Sequence, residues 1–154
     1  FPAGAEDAVY SSFDPPYRTP NTIITSPSEL LAMSGLGMES YQLLLPHVTA
    51  LPNGTRLNVN TASEIVLATL SDDIDEARAV ALVEERAGAD FPDIAASFDG
   101  EMEPDMLLRI DGVSQYFLLI ATVAIGTNQF TMYSLLQRDS SGIARAIFRS
   151  LGVL

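Results

Sequence analysis

Between about residues 28 and 110 hydrophobic positions recur mostly in short segments at helical spacing, and after that they change to strand-length apolar runs. Ser28-Glu29-Leu30-Leu31-Ala32-Met33 predicts a short helix, Gly35-Leu36-Gly37 a tight turn, and Glu39 to Val48 a second helix that Pro46 bends or ends. Pro52-Asn53-Gly54 predicts a turn, and Arg56 to Asn60 an extended run. Thr61 with Glu64 has the spacing of a capping box, so a helix is expected there with Ile65, Leu67 and Leu70 on its apolar face. Asp73 is the expected cap of a following helix whose Ala77, Val80, Ala81 and Val83 point inward and which stops near Gly88.

Past residue 110, Ser114 to Ile125, Gln129 to Gln137 and Ile143 to Leu151 are strand-length and rich in β-formers. Gly126-Thr127-Asn128 and Asp139-Ser140-Ser141-Gly142 separate them, which predicts two hairpins and hence an antiparallel meander. The first strand is apolar on both faces. The last alternates Ile143, Arg145, Ile147 and Arg149 against Ala144, Ala146 and Phe148, as an edge strand does. Residues 1–28, with Pro2, Pro15, Pro16, Pro20 and Pro27, predict an irregular covering strap anchored by Tyr10, Phe13 and Tyr17. The fold class is therefore α+β: a helical domain over 1–110 with helix-hairpin-helix-like units, then antiparallel strands over 111–154.

Charge narrows the function classes. The 20 Asp and Glu outnumber 8 cations, every one of them Arg, for a net charge of -12. Between Asp72 and Asp111 thirteen acids face only Arg78, Arg86 and Arg109. Helix-hairpin-helix modules grip phosphate with the backbone N–H groups of a glycine turn, and a DNA-binding protein of that kind is the rival reading. Here the second unit carries Ser71-Asp72-Asp73-Ile74-Asp75 where the glycines belong, and no cation lies between Arg18 and Arg56 beside the first. Carboxylates at those places repel phosphate, so nucleic acid is not an expected partner.

The residue types left for chemistry are few. There is no Cys, and His47 is the one histidine, so a Ser-His-Asp arrangement or a transition-metal site lacks its parts. Carboxylate pairs for glycoside hydrolysis exist, but without Trp there is no sign of a sugar-holding cleft. A hard cation remains a candidate: Asp99, Glu101, Glu103 and Asp105 alternate around Gly100 and Pro104, and Glu6-Asp7 stand as a second acidic pair. An acidic loop held in solvent is the plainer reading of the same residues. No run is long enough to cross a membrane as a helix; Tyr116 to Ile125 is of strand length.

A set of short segments occurs in one order along the chain: Gly4-Ala5-Glu6-Asp7, Pro15-Pro16-Tyr17-Arg18, Asn21, Glu29-Leu30, Gly35, Leu51-Pro52, Leu57-Asn58-Val59-Asn60-Thr61-Ala62, Ser114-Gln115-Tyr116-Phe117, Leu135-Leu136-Gln137-Arg138 and Phe148-Arg149. That ordered set resembles the GspK family, the K-type minor pseudopilins of type II secretion. The resemblance implies a pseudopilin fold, an N-terminal helix laid on an antiparallel sheet with a large α-domain inserted between strands. It also implies a non-enzymatic role in a heterotrimeric tip complex with I-type and J-type minor pseudopilins, which initiates and caps the periplasmic pseudopilus, with secretin or secreted protein as further candidate contacts. Calcium is bound in the α-domain of some members, so Glu6 and Asp7, ahead of the Asp99 to Asp105 loop, are its candidate ligands here. The resemblance further implies periplasmic residence with inner-membrane anchoring through a helix upstream of Phe1, and hence that this chain is part of a longer one.

Overall fold

The computed structural model describes residues 7–19 and 21–152, in two compact units that part between Ala50 and Leu51. The change from the helical stretch to the long strands, expected at 110–111, lies inside the second unit.

In the first unit, one helical turn, α1 (Asp7–Tyr10), starts an aromatic cluster. The rings of Tyr10 and Phe13 meet edge-on at 5.8 Å, and Tyr17 lies 5.1 Å from Tyr10. The Tyr17 hydroxyl donates to the Ala32 carbonyl, and the Ser34 N–H donates to the Tyr10 hydroxyl at 3.4 Å. The strap thus closes onto the segment that follows it. That segment is a 3₁₀ helix, Pro27–Ala32, rather than an α-helix. Ser26 caps it and Glu29 completes the capping box, its Oε1 accepting from the N–H of Thr25 at 2.7 Å and of Ser26 at 3.0 Å. The next helix, α2 (Met38–Leu44), ends in a 3₁₀ turn, Leu45–His47. Pro46 has no N–H to continue the ladder, so the helix stops there as its position predicts.

The second unit opens with a Pro52–Thr55 turn in which Gly54 takes the positive φ of 81°. Strand β1 (Leu57–Asn58) pairs in parallel with β2 (Ile110–Asp111), Leu57 opposite Ile110 and Asn58 opposite Asp111. Between these strands run α3 (Glu64–Leu67), α4 (Glu76–Gly88), α5 (Ile94–Ser97) and α6 (Pro104–Leu107). Val59, Leu67, Ile74, Leu82 and Phe98 form the centre of their shared core, each 2% exposed or less.

The helix phases differ from expectation. Ser63, not Thr61, caps α3, its Oγ accepting the Val66 N–H at 3.4 Å, and Thr61 instead closes a turn on the Asn58 carbonyl. The helix therefore starts later, burying Leu67 and leaving Ile65 exposed. Likewise Asp75, not Asp73, caps α4, accepting the Arg78 N–H at 2.7 Å. The inward stripe becomes Ala79, Leu82, Val83 and Arg86 at helical spacing, while Ala77 and Val80 face out. Ile74 sits in the connection and fills the core from there, which is why the helix cannot begin at Asp73.

Strands β3 (Tyr116–Ile125), β4 (Asn128–Arg138) and β5 (Ala144–Leu151) form the expected antiparallel meander. Asp139 shapes the second hairpin, its Oδ1 accepting the N–H groups of Ser141 at 2.9 Å and Ile143 at 3.0 Å. A bulge interrupts β5: Leu136 faces Ala146 while the adjacent Leu135 faces Phe148, so Ile147 has no opposite number. The alternation expected of β5 is broken at that point. Arg145 lies opposite Gln137 and Arg149 opposite Ser134, placing the two arginines on opposite faces of the sheet.

Candidate functional site

The Asn58-Val59-Asn60-Thr61 run is the junction of the second unit. The Asn58 side chain donates to the Ser114 hydroxyl at 2.9 Å and accepts the Asn60 N–H at 2.9 Å. Asn60 donates to the Gly112 carbonyl at 3.1 Å and accepts the Phe91 N–H at 3.0 Å. Two short polar side chains thereby tie β1 to the loop after α4 and to the approach of the sheet. Gly112 suits this closeness, since a Cβ there would stand 3.2 Å from the Asn60 amide nitrogen. Arg86 completes the junction by donating to the carbonyls of Val59 and Ala62.

These contacts leave little for phosphate. Arg86 is spent on backbone carbonyls, and Arg78 pairs with Glu101 at 2.7 Å and Glu85 at 2.8 Å. At the start of α4 the Asp75 carboxylate occupies the N–H that an anion would use.

The candidate cation ligands are scattered. Glu6 lies outside the described residues. Asp7 starts α1, and its Oδ1 accepts the Thr19 hydroxyl at 2.7 Å and the Thr19 N–H at 3.1 Å, bonds that hold its carboxyl below the ordinary range. Its Oδ2 makes no hydrogen bond among the described residues. Asp99 is exposed beside Gly100, Glu103 caps α6 without a side-chain bond, and Asp105 occupies the first turn of that helix. Glu101 is turned away from them to Arg78, and this bond raises the guanidinium pKa above its ordinary value. No three acid or histidine groups among the described residues stand close enough to hold a metal. As placed, the Asp99 to Asp105 carboxylates do not fit one calcium ion, whereas Asp7 retains an oxygen.

The largest unabsorbed feature is apolar. Leu119, Val123 and Ile125 on one face of β3 are 46%, 55% and 66% exposed, and Leu118 and Ile120 on the other are 50% and 55%. Phe130 and Leu151 extend the first face, and Phe148 extends the second. A sheet left open on both sides at apolar positions is a surface for other polypeptide. No helix among the described residues is long and apolar enough to cross a membrane.

Comparisons with known proteins agree on one family. Models described as type II secretion system (T2SS), protein K match residues 1–53 and 57–109. A type II secretion system protein K of Pseudomonas aeruginosa is 34% identical over 154 residues, covering 97% of this chain and 45% of that protein. The protein of the same description from Pectobacterium carotovorum is 31% identical over 143 residues, covering 86% of this chain and 44% of the relative. The chain thus spans less than half the length of these curated relatives. Among solved structures, a chain of the GspK-GspI-GspJ complex from the enterotoxigenic Escherichia coli type 2 secretion system superposes with a TM-score of 0.79 at 22% identity, covering 98% of this chain and 56% of that one. That likeness establishes the fold.

Proposed function

The chain belongs to the type II secretion system protein K family, and from that premise we propose that it works as a minor pseudopilin subunit that assembles with I-type and J-type minor pseudopilins at the tip of the pseudopilus. In this reading the role is structural and not enzymatic: the subunit helps initiate the pseudopilus and then caps it. Its place is the periplasm, with inner-membrane anchoring before incorporation.

The observation that carries the reading is the sheet, whose β3 side chains are open on both faces although they are almost wholly apolar. In this reading the N-terminal helix that the family lays on its sheet covers part of that surface, and packing against subunits of the same class removes the rest from water. The related fold occurs in a crystal structure of a GspK-GspI-GspJ complex, which names the two subunit types to try. The thirteen acids between Asp72 and Asp111 support the capping half of the reading. Desolvating so many carboxylates opposes docking of a further subunit on that region. The experiment is co-purification of the chain with I-type and J-type subunits of one secretion system. A stable ternary complex at micromolar concentration is expected, and its absence removes the proposal.

A further inference from the structure

The turn that opens the second unit carries an asparagine followed by a glycine at its tip, Asn53-Gly54. Both residues are exposed, and a Cβ placed on Gly54 would meet nothing within 4 Å. Among the described residues neither the Asn53 side chain nor the Gly54 N–H makes a hydrogen bond. The turn is held instead at one acceptor. The Thr55 N–H donates to the Pro52 carbonyl at 3.1 Å, and the Thr55 hydroxyl donates to the same oxygen at 2.6 Å.

The main-chain nitrogen that follows an asparagine can attack the asparagine's own side-chain carbonyl, and a Cβ on the following residue hinders that approach. Asn21, Asn58, Asn60 and Asn128 precede Thr22, Val59, Thr61 and Gln129, whereas Asn53 precedes a glycine. Asn58 and Asn60 are also held by their hydrogen bonds at the junction. Asp99-Gly100 and Asp111-Gly112 offer the glycine without the electrophile, because an ionised carboxylate resists attack. The Gly112 N–H is in addition engaged by Asp111 Oδ1 at 2.7 Å.

We propose that Asn53 is a self-modification site, which deamidates to aspartate and isoaspartate with water as the sole co-reactant. Base takes the Gly54 N–H proton, the nitrogen bonds to Asn53 Cγ, and the Cγ–Nδ2 bond breaks with release of ammonia. Water then opens the five-membered imide. Cleavage at Cγ leaves aspartate; cleavage at the main-chain carbonyl leaves isoaspartate, whose main chain runs through Cβ and Cγ. Either product adds a negative charge. Isoaspartate also lengthens the path into β1, where the Leu57 N–H donates to the Arg109 carbonyl at 2.9 Å. The turn itself gates the reaction. Gly54 has a positive φ and Asn53 does not, which makes a type II turn, and the first central residue of such a turn has ψ near about +120°. Imide closure needs ψ of the opposite sign, so both bonds to the Pro52 carbonyl must break first. That is the opening of one turn and not the unfolding of the unit.

The test incubates the full chain at mildly alkaline pH, folded and in urea, and follows position 53 by peptide mapping that separates asparagine, aspartate and isoaspartate. With two hydrogen bonds as the gate, the folded chain is expected to convert within about a hundredfold of the rate in urea. Thr55→Val removes the hydroxyl bond and should speed the folded chain severalfold while leaving the urea rate within about twofold; Thr55→Ser should do neither. Asn53→Gln, which would have to close a larger ring, should stop the conversion and leave the unfolding midpoint unchanged. Retention of Asn53 in the folded chain beyond that hundredfold overturns the inference, as does a Thr55→Val chain no faster than wild type. Rates that follow the unfolding midpoint across the variants assign the reaction to global unfolding and overturn it too.

Discussion

The Nε of Arg78 lies 2.7 Å from Oε1 of Glu101, joining α4 to the loop before α6. Both side chains are 27% exposed, and the other Glu101 oxygen is buried without a partner. Removing Arg78 leaves a carboxylate with no compensation, whereas removing Glu85, which is 52% exposed, does not. Arg78→Met is therefore expected to cost about 2 kcal/mol, between the values for exposed and buried pairs, and Glu85→Gln less than about 0.5 kcal/mol. Urea unfolding midpoints of the two variants give the comparison.

Asn60 satisfies two backbone groups that are otherwise stranded, the N–H of Phe91 and the carbonyl of Gly112. Asn60→Ala is expected to destabilise the second unit by about 2 kcal/mol, and Thr61→Ala, at an exposed position with a 3.5 Å contact, by less than about 0.5 kcal/mol. The helical circular dichroism of the two variants on heating should separate clearly. Equal loss would contradict the junction role given to Asn60.

Acid titrates the capping box of the first unit. Hydrogen bonds from the Thr25 N–H and hydroxyl, then from the Ser26 N–H, hold the Glu29 carboxyl below its ordinary value of 4.5. A carboxyl whose pKa is lowered on folding contributes stability above that ordinary value and loses it as pH falls through the lowered one. The Tyr10, Phe13 and Tyr17 cluster should accordingly loosen below pH 4.5, read from tyrosine circular dichroism, and Glu29→Gln should flatten the pH dependence in that window. A steep loss above pH 5 in both proteins would assign the effect to another group.

Calcium is proposed for Glu6 and Asp7. The Asp99 to Asp105 loop is the poorer seat because Arg78 neutralises Glu101. Millimolar calcium is expected to raise the unfolding midpoint relative to chelator by mass action. Asp7→Asn should remove that increment and Asp105→Asn should leave it. An increment lost only with Asp105→Asn would move the site to the loop.

Much of the architecture was legible from residue types. Pro46 ended α2, Gly88 closed α4, and the two turn-forming runs around Thr127 and Ser140 divided three strands as their composition predicts. The proline and turn effects are local, set by one ring or one short hydrogen-bonded turn. Helix phase was less legible. The Thr61 to Glu64 spacing and Ser63 compete for the same cap, as Asp73 and Asp75 do, and burial of Leu67 and Ile74 settles the choice from outside the helix. The inward direction of Arg86 is legible in its spacing, seven residues after Ala79 on the same stripe.

The amino-acid order by itself determined that this is an α+β chain with an acidic helical stretch, three β-rich runs and the motif series of its family, because each depends on residue type and local spacing. Only the tertiary structure decided what Asn60, Arg78 and Arg86 hold together, since their partners other than Glu85 lie between 23 and 52 residues away. The bulge at Ile147 is the sharpest case. Strict alternation puts Arg145 and Arg149 on one face, and a single extra residue moves Arg149 to the other, beside Ser134. Pairing with β4 makes that shift, so the placing of Arg149 opposite Ser134 exists only in the folded sheet.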